Sequence, residues 1–260
     1  MSLLGVVAVG CAPLQAGKGK KVVKECVLPQ DQRATLMSRW PALPVPLAVS
    51  PGWNDTEISQ IVAAAETWNR FYGSSLGLQV FDTGASGGIR QNSAPRPSPS
   101  TLCQQGLVQG NKFVGNVTIY QRGTWTDAAS AIAITRTCYN AAKPLPRNFM
   151  AMMDVNFQNF FVEGRKLPDL QSIMIHELGH LLGLDHSCNI SNGKPGFPYC
   201  KAANLPDEYY FATMFPQIFF DPSTGIGEER RDLNDNDQGR SNCIYQGFSC
   251  LLYTSDAADE

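Results

Sequence analysis

The stretch HELGHLLGLDH, residues 176–186, gathers all three histidines of the chain into eleven positions. On an α-helix, residues four apart lie about 40° apart around the axis and about 6 Å along it, so they share one face. His176 and His180 can therefore bind one metal ion together. Glu177 projects beside that ion, where a carboxylate can take a proton from bound water. Gly183 permits a turn that a residue with a Cβ resists, so the helix ends there and the chain doubles back. His186 then supplies a third nitrogen. Three neutral imidazoles with one open position form the ligand set of a catalytic Zn2+, not of a closed structural one. The bland alternative is a core helix that happens to carry histidine, and three histidines at these spacings argue against it.

The same residues meet every fixed position of H-E-x-x-H-x-x-G-x-x-H, the metzincin signature. Ser187 after the third ligand, and the run ATMFP at residues 212–216, resemble the matrixins, the matrix-metalloproteinase group. The resemblance makes Met214 the Met-turn residue, a hydrophobic floor beneath the metal. Pro216 stands two positions later, where astacins and serralysins carry a tyrosine. Residues 233–245 are similar to the matrixin closing helix, with Asn236 and Asp237 where that family usually has two aspartates. The similarity spans about residues 44–248 and is most specific over 170–217.

A zinc-dependent endopeptidase is what this resemblance implies. It makes His176, His180 and His186 the zinc ligands and Glu177 the general base acting on a zinc-bound water. It lays a protein or peptide substrate as an extra strand along residues 131–135, against Ala131, Ile132 and Ala133. Pro216 and Phe219, with Phe220, would line the pocket after the scissile bond, although two phenylalanines there are equally at home in a core. Calcium is possible by analogy. The run NDND at 234–237 lacks the ligand spacing of an EF-hand, helix capping explains it more cheaply, and no calcium ligand is assigned. Twenty-seven residues separate His186 from Met214, longer than the usual matrixin connection, and should overhang the primed side of the cleft. The residues around Cys26, ECVLP, do not match the cysteine-switch motif, so a disulfide is its expected fate. A reading from another class is a surface lipoprotein that keeps the fold only for adhesion or partner binding. Retention of Glu177 argues against it, since a binding module has no use for a general base. A highly selective processing enzyme is a third reading.

The elements that must position these residues are legible in outline. Asn54 can cap a helix with Glu57 three residues on, a capping-box spacing. Ile58, Ile61, Val62, Ala65, Trp68 and Phe71 then recur at helical spacing, which predicts a helix over 55–72 ended by Gly73. Strands are expected at 44–49, 76–81, 116–120, 131–137 and 150–157, with a long Gly/Ser/Pro-rich surface loop at 82–100. A second helix starts near Asp169 and carries the histidines. The expected class is α/β (α+β): a twisted mixed sheet with an active-site helix, a backing helix and a C-terminal helix.

Composition bounds the rest. The chain has 260 residues, 21 basic against 23 acidic, so the basic field of a nucleic-acid binder is absent. At 43% hydrophobic it is not a disordered chain, and no run of eighteen apolar residues predicts a membrane span. The opening residues MSLLGVVAVGC resemble a bacterial lipoprotein signal with Cys11 as the lipidated residue, or else an ordinary secretory signal fragment. Either places the protein outside the cytoplasm, on a cell surface, in a periplasm or secreted, with any membrane contact made through a lipid anchor. The terminal CLLYTSDAADE can be back-translated into a sequencing-library adapter read in frame, which would make residues 250–260 a read-through. Without that tail the net charge becomes +1. The expected division is 1–11 signal, 12–43 flexible tether, 44–249 catalytic domain and 250–260 read-through, in a monomer. Setting Cys11 and Cys250 aside leaves six cysteines with fifteen possible pairings, of which only Cys188 with Cys200 is suggested by proximity.

Overall fold

The computed structural model describes residues 25–28, 35–84, 88–108, 115–162 and 164–246. The signal-like segment 1–11 and the tail 250–260 lie outside these residues. In chain order the strands are β1 (Val45–Val49), β2 (Phe81–Asp82), β3 (Arg90–Gln91), β4 (Val117–Arg122), β5 (Ala133–Asn140) and β6 (Arg147–Asn156). The helices are α1 (Asp55–Ser75), α2 (Pro99–Val108), α3 (Leu170–Leu182), α4 (Asp207–Tyr210) and α5 (Asp235–Tyr245). The sheet runs β2-β1-β4-β6-β5, with β3 paired to β1. All pairings are parallel except β5 with β6. This is the mixed α/β class expected.

Alternation in β6 builds both faces of the sheet. Ala151, Met153 and Val155 join the main core under α1 and α3, while Met152 joins Leu102, Tyr120, Cys138 and Phe149 on the other side. A strand buried on both faces needs this near-continuous apolar run. Its exception is Asp154, fully buried and bonded to Arg96 (2.5 and 2.6 Å), Arg122 (3.3 Å) and Arg136 (2.5 Å). Arg96 ties the loop expected at 82–100 onto the sheet, and that stretch also holds β3 and the start of α2.

Helix α1 begins as its spacing predicts. Asn54 N–H donates to Glu57 Oε2 and Glu57 N–H to Asn54 Oδ1, both at 2.9 Å. It passes through Gly73 instead of ending there, because Trp68, Phe71 and Tyr72 bury its last turns in the core. The strand expected at 76–81 shrinks to β2. Asn69 of α1 accepts from Val80 and Phe81 N–H at 3.0 and 2.9 Å, so a side chain takes backbone groups that a ladder would use. β5 starts at Ala133, two residues later than expected, and β6 starts at Arg147, three earlier.

Of the stretch 12–43 expected as a flexible tether, residues 12–24 and 29–34 lie outside the described residues. Residues 35–40 pack on the end of α3, with Trp40 1% exposed and Leu36 bridged to Leu184. A large indole with core to enter has no reason to stay in solvent. Three disulfides pair all six candidates: Cys26–Cys243, Cys103–Cys138 and Cys188–Cys200. They fit an oxidising environment outside the cytoplasm. Among the described residues no helix is long and apolar enough to cross a membrane.

Candidate metal centre

Helix α3 is fixed at both ends before it presents any ligand. At its start, Asp169 accepts from Ser172 N–H at 2.9 Å and pairs with Arg231 at 2.5 Å. Burial alone would raise the Asp169 carboxyl, but these partners outweigh it and hold it below its ordinary value. Ile173, Met174, Ile175, Leu178, Leu181 and Leu182 are buried, and Trp68 Nε1 of α1 donates to Ile175 O at 2.9 Å. At its end, Gly183 adopts φ +112°, Leu184 N–H donates to Gly179 O, and Gly183 N–H to His180 O, both at 3.0 Å. This is the paired bonding of a left-handed helix stop. A Cβ on Gly183 would lie 1.9 Å from Ser38 O, so close approach of the chain also requires glycine.

The last carbonyls of a helix need outside donors. Here Trp40 Nε1 donates to Leu181 O at 2.7 Å, Tyr245 Oη to Leu182 O at 3.0 Å, and Met37 N–H to Gly183 O at 2.8 Å. Thr35 O accepts from Asp185 N–H at 2.8 Å, so the same segment steers the chain towards His186.

His176, His180 and His186 converge, each offering a ligand atom within 4.8 Å of the others. His176 Nδ1 meets Thr213 O and His180 Nδ1 meets Leu184 O, both at 2.7 Å. A carbonyl only accepts, so Nδ1 carries the proton and Nε2 keeps its lone pair for a metal. The Nε2 atoms of His180 and His186 lie 3.2 Å apart. Two nitrogens at about 2.0–2.1 Å on a tetrahedral zinc stand about 3.3 Å apart, so the donor set fits that ion. Burial, then the neighbouring imidazoles, push His176 well below the ordinary histidine value, and burial with His180 does the same to His186. Both are neutral ligands at neutral pH.

Glu177 is 6% exposed. Thr135 Oγ1 of β5 donates to its Oε2 at 2.6 Å and also meets its backbone oxygen at 3.1 Å. Burial pushes the Glu177 carboxyl above its ordinary value, partly opposed by His180 and the Thr135 hydroxyl. Met214 is fully buried against Gly179 of α3, where an added Cβ would lie 2.4 Å from Met214 Sδ. Asp237 of α5 accepts from Thr213 N–H at 2.8 Å and Met214 N–H at 3.1 Å, holding the turn whose Thr213 carbonyl orients His176. Asp237 Oδ2 also accepts from Asn234 N–H at 3.1 Å, so the NDND run caps its own helix.

Cavities flank the histidines on both sides. One, of about 530 Å³, runs past His176 and Glu177 between Ala131, Ile132 and Ala133 on one wall and Pro216 and Phe220 on the other. The second, of about 270 Å³, is bounded by Met37, Ile134, Thr135 and His180. Ile190 of the long connection lines the larger one, so that connection does reach the cleft. Phe219 does not line it. It is 47% exposed and turned towards Tyr210 (5.8 Å) and Phe215 (6.5 Å). In an extended stretch neighbouring side chains point to opposite sides, and Phe220 takes the inward place. The motif left Thr135, Gly179 and Trp40 unmarked. An alternating strand opposite the motif was the available signal for Thr135, and a bulky aromatic amid a supposed tether was the signal for Trp40.

The chain matches the Matrixin family over residues 91–192, a span containing β4, β5, β6 and all of α3 with its ligands. No curated protein matches the chain.

Proposed function

We propose that the chain, whose residues 91–192 match the Matrixin family, is a zinc-dependent endopeptidase in which Glu177 handles the proton and β5 holds the substrate backbone. One observation carries this reading: a buried carboxylate stands beside three converging imidazoles at the foot of an open sheet edge. His176, His180 and His186 would hold a zinc ion, which when bound would supply Lewis-acid polarisation of a carbonyl and a lowered pKa for an adjacent water.

The remaining work falls to the chain's own groups. Glu177, bonded to the Thr135 hydroxyl, receives the proton of the attacking water and returns it to the leaving amine. Ile132 O accepts from Asn156 N–H at 2.9 Å, so Ile132 faces β6. Alternation then turns the backbone groups of Ala133 and Thr135 outward, free to bond a substrate laid along the edge. Ala131, Ile132, Ala133 and Pro216 line the cavity that receives the side chain after the scissile bond, with Phe220 in the place assigned to Phe219. Apolar walls there favour an apolar side chain.

The test is hydrolysis of casein or a denatured protein by wild type and by Glu177→Ala, with zinc content measured in both. Loss of a general base lowers the rate by about 10²–10⁴-fold. Zinc content should stay unchanged. Cleavage surviving in the variant sinks the assignment of Glu177. A zinc-loaded wild type that cleaves nothing points to the adhesion reading.

A further inference from the structure

The three ligands are not oriented in the same way. His176 and His180 each hold a backbone carbonyl through Nδ1 at 2.7 Å. Metal-binding histidines generally need such a partner to fix the ring. His186 has none among the described residues; its Nδ1 stands 3.8 Å from Asp185 Oδ1, beyond hydrogen-bond reach. It also lies past the end of α3, so no helical bonding holds its backbone. Its main chain is held from behind instead. His186 N–H donates to Asp185 Oδ1 at 2.8 Å, and that carboxylate is itself paired with Lys194 at 3.2 Å.

Behind the loop sits Arg240 of α5, whose side chain is fully buried. Its Nη1 donates to Asp185 O at 3.0 Å and to His186 O at 3.4 Å, and its Nε donates to Asn236 Oδ1 at 2.9 Å. Its Nη2 stands 3.9 Å from Asp237 Oδ1. Two successive carbonyls held by one guanidinium nitrogen, itself fixed in the planar group that Asn236 orients through Nε, set the plane of the peptide between them and the direction in which the His186 side chain leaves the chain. Asp237, the acid that faces Arg240, also holds the turn under His176. One helix thus grips the first ligand through an acid and the third through a base. A buried guanidinium loses its hydration and is tolerated only where its donors are used. Arg240 Nη1 is spent on the loop that carries the third histidine and its Nε on Asn236 of its own helix, while its charge faces Asp237.

We propose that Arg240 is a positioning residue for the third zinc ligand, fixing His186 through its backbone in place of the ring hydrogen bond that the other two ligands have. This rests on the reading of the three histidines as a zinc site. Arg240→Lys keeps a charge but cannot bond Asn236 and both loop carbonyls at once through one planar group. Zinc affinity, read by chelator competition, should weaken by about 10–100-fold, as for other outer-shell partners. The visible spectrum of the cobalt-substituted protein should change as well, beyond whatever the melting temperature of the zinc-free protein loses with the bonds of a buried cation. A purely structural role predicts a lower melting temperature with zinc affinity and cobalt spectrum untouched, and that result overturns the proposal. Where Arg240→Lys does not fold, Asn236→Ala decides. It removes the acceptor that orients Nε, and zinc binding should weaken by about 3–10-fold, with unchanged affinity overturning the proposal. A wild type that binds no zinc fails at the earlier step and overturns the metal site itself.

Discussion

Two of the three ligands ride on α3 and the third rides on the loop behind it, and different forces hold them. His176 and His180 inherit their geometry from helical bonding and a buried apolar face, with Trp68 bonded to the helix backbone. His186 inherits nothing from a helix and depends on residues distant in sequence: Thr35 on one side, Arg240 on the other. The helix half of the site is stabilised mainly by area buried, the loop half by polar groups that must each find a partner. The first should tolerate small changes of shape, and the second should respond sharply to loss of a single donor.

The largest test of this contrast strikes where the halves meet. Trp40→Ala removes a buried indole and leaves Leu181 O with only the longer bond from Asn148 Nδ2 at 3.5 Å, so denaturant unfolding should show a loss of about 3–5 kcal/mol. A loss below about 1 kcal/mol would mean that residues 35–40 merely rest on α3. The paired change Cys188→Ser with Cys200→Ser acts on the loop half, opening a link across a sequence separation of 12. Constraint on the unfolded chain alone is worth about 3 kcal/mol for such a loop. Zinc should also leave faster in that variant, because Cys188 lies two residues from His186. Equal zinc dissociation rates would show that Arg240 and Thr35 hold the loop without help.

Gly179→Ala tests the helix half. Alanine is the better helix former by about 1 kcal/mol, yet its Cβ would meet Met214 Sδ at 2.4 Å, so a net cost of about 1–3 kcal/mol is expected. Thermal melting with and without zinc would read it, and a stabilised variant would show that Met214 moves freely. The mildest effect is that of pH on the zinc-free protein. His176 and His186 are held below their ordinary values, so between about pH 6.5 and their lowered values the unfolded chain binds protons that the folded chain refuses. Stability should therefore be flat above about pH 7 and fall as the pH drops through 6. A zinc-free melting temperature that does not change over pH 5–8 would refute the buried, neutral state of these ligands.

Local pattern made much of this legible. The capping box at Asn54, the start of α3 at Asp169 and the stop at Gly183 each depend on residues within a few positions of one another. Readings failed where a distant partner overrode a local signal. Gly73 was expected to end α1, but the aromatics beside it had a core to enter. The stretch 76–80 lost its ladder to Asn69. Within the stretch 12–43, expected as a tether from its scattered prolines, residues 35–40 pack on α3 because Trp40 finds a core to enter. Phe219 and Phe220 are indistinguishable by type, and only the path of the chain chose which one lines the cavity.

By itself the sequence determined the three clustered histidines, the carboxylate beside them and the helix that carries them, because spacing along a helix is a property of the covalent chain. Tertiary structure alone decided the rest. It selected one of the cysteine pairings left open, placed the Thr135 hydroxyl on Glu177, and set Trp40 and Tyr245 on the carbonyls that end α3. It also put Arg240 behind His186, 54 residues away along the chain. Such contacts depend on which segments the fold brings together, and no local spacing encodes that.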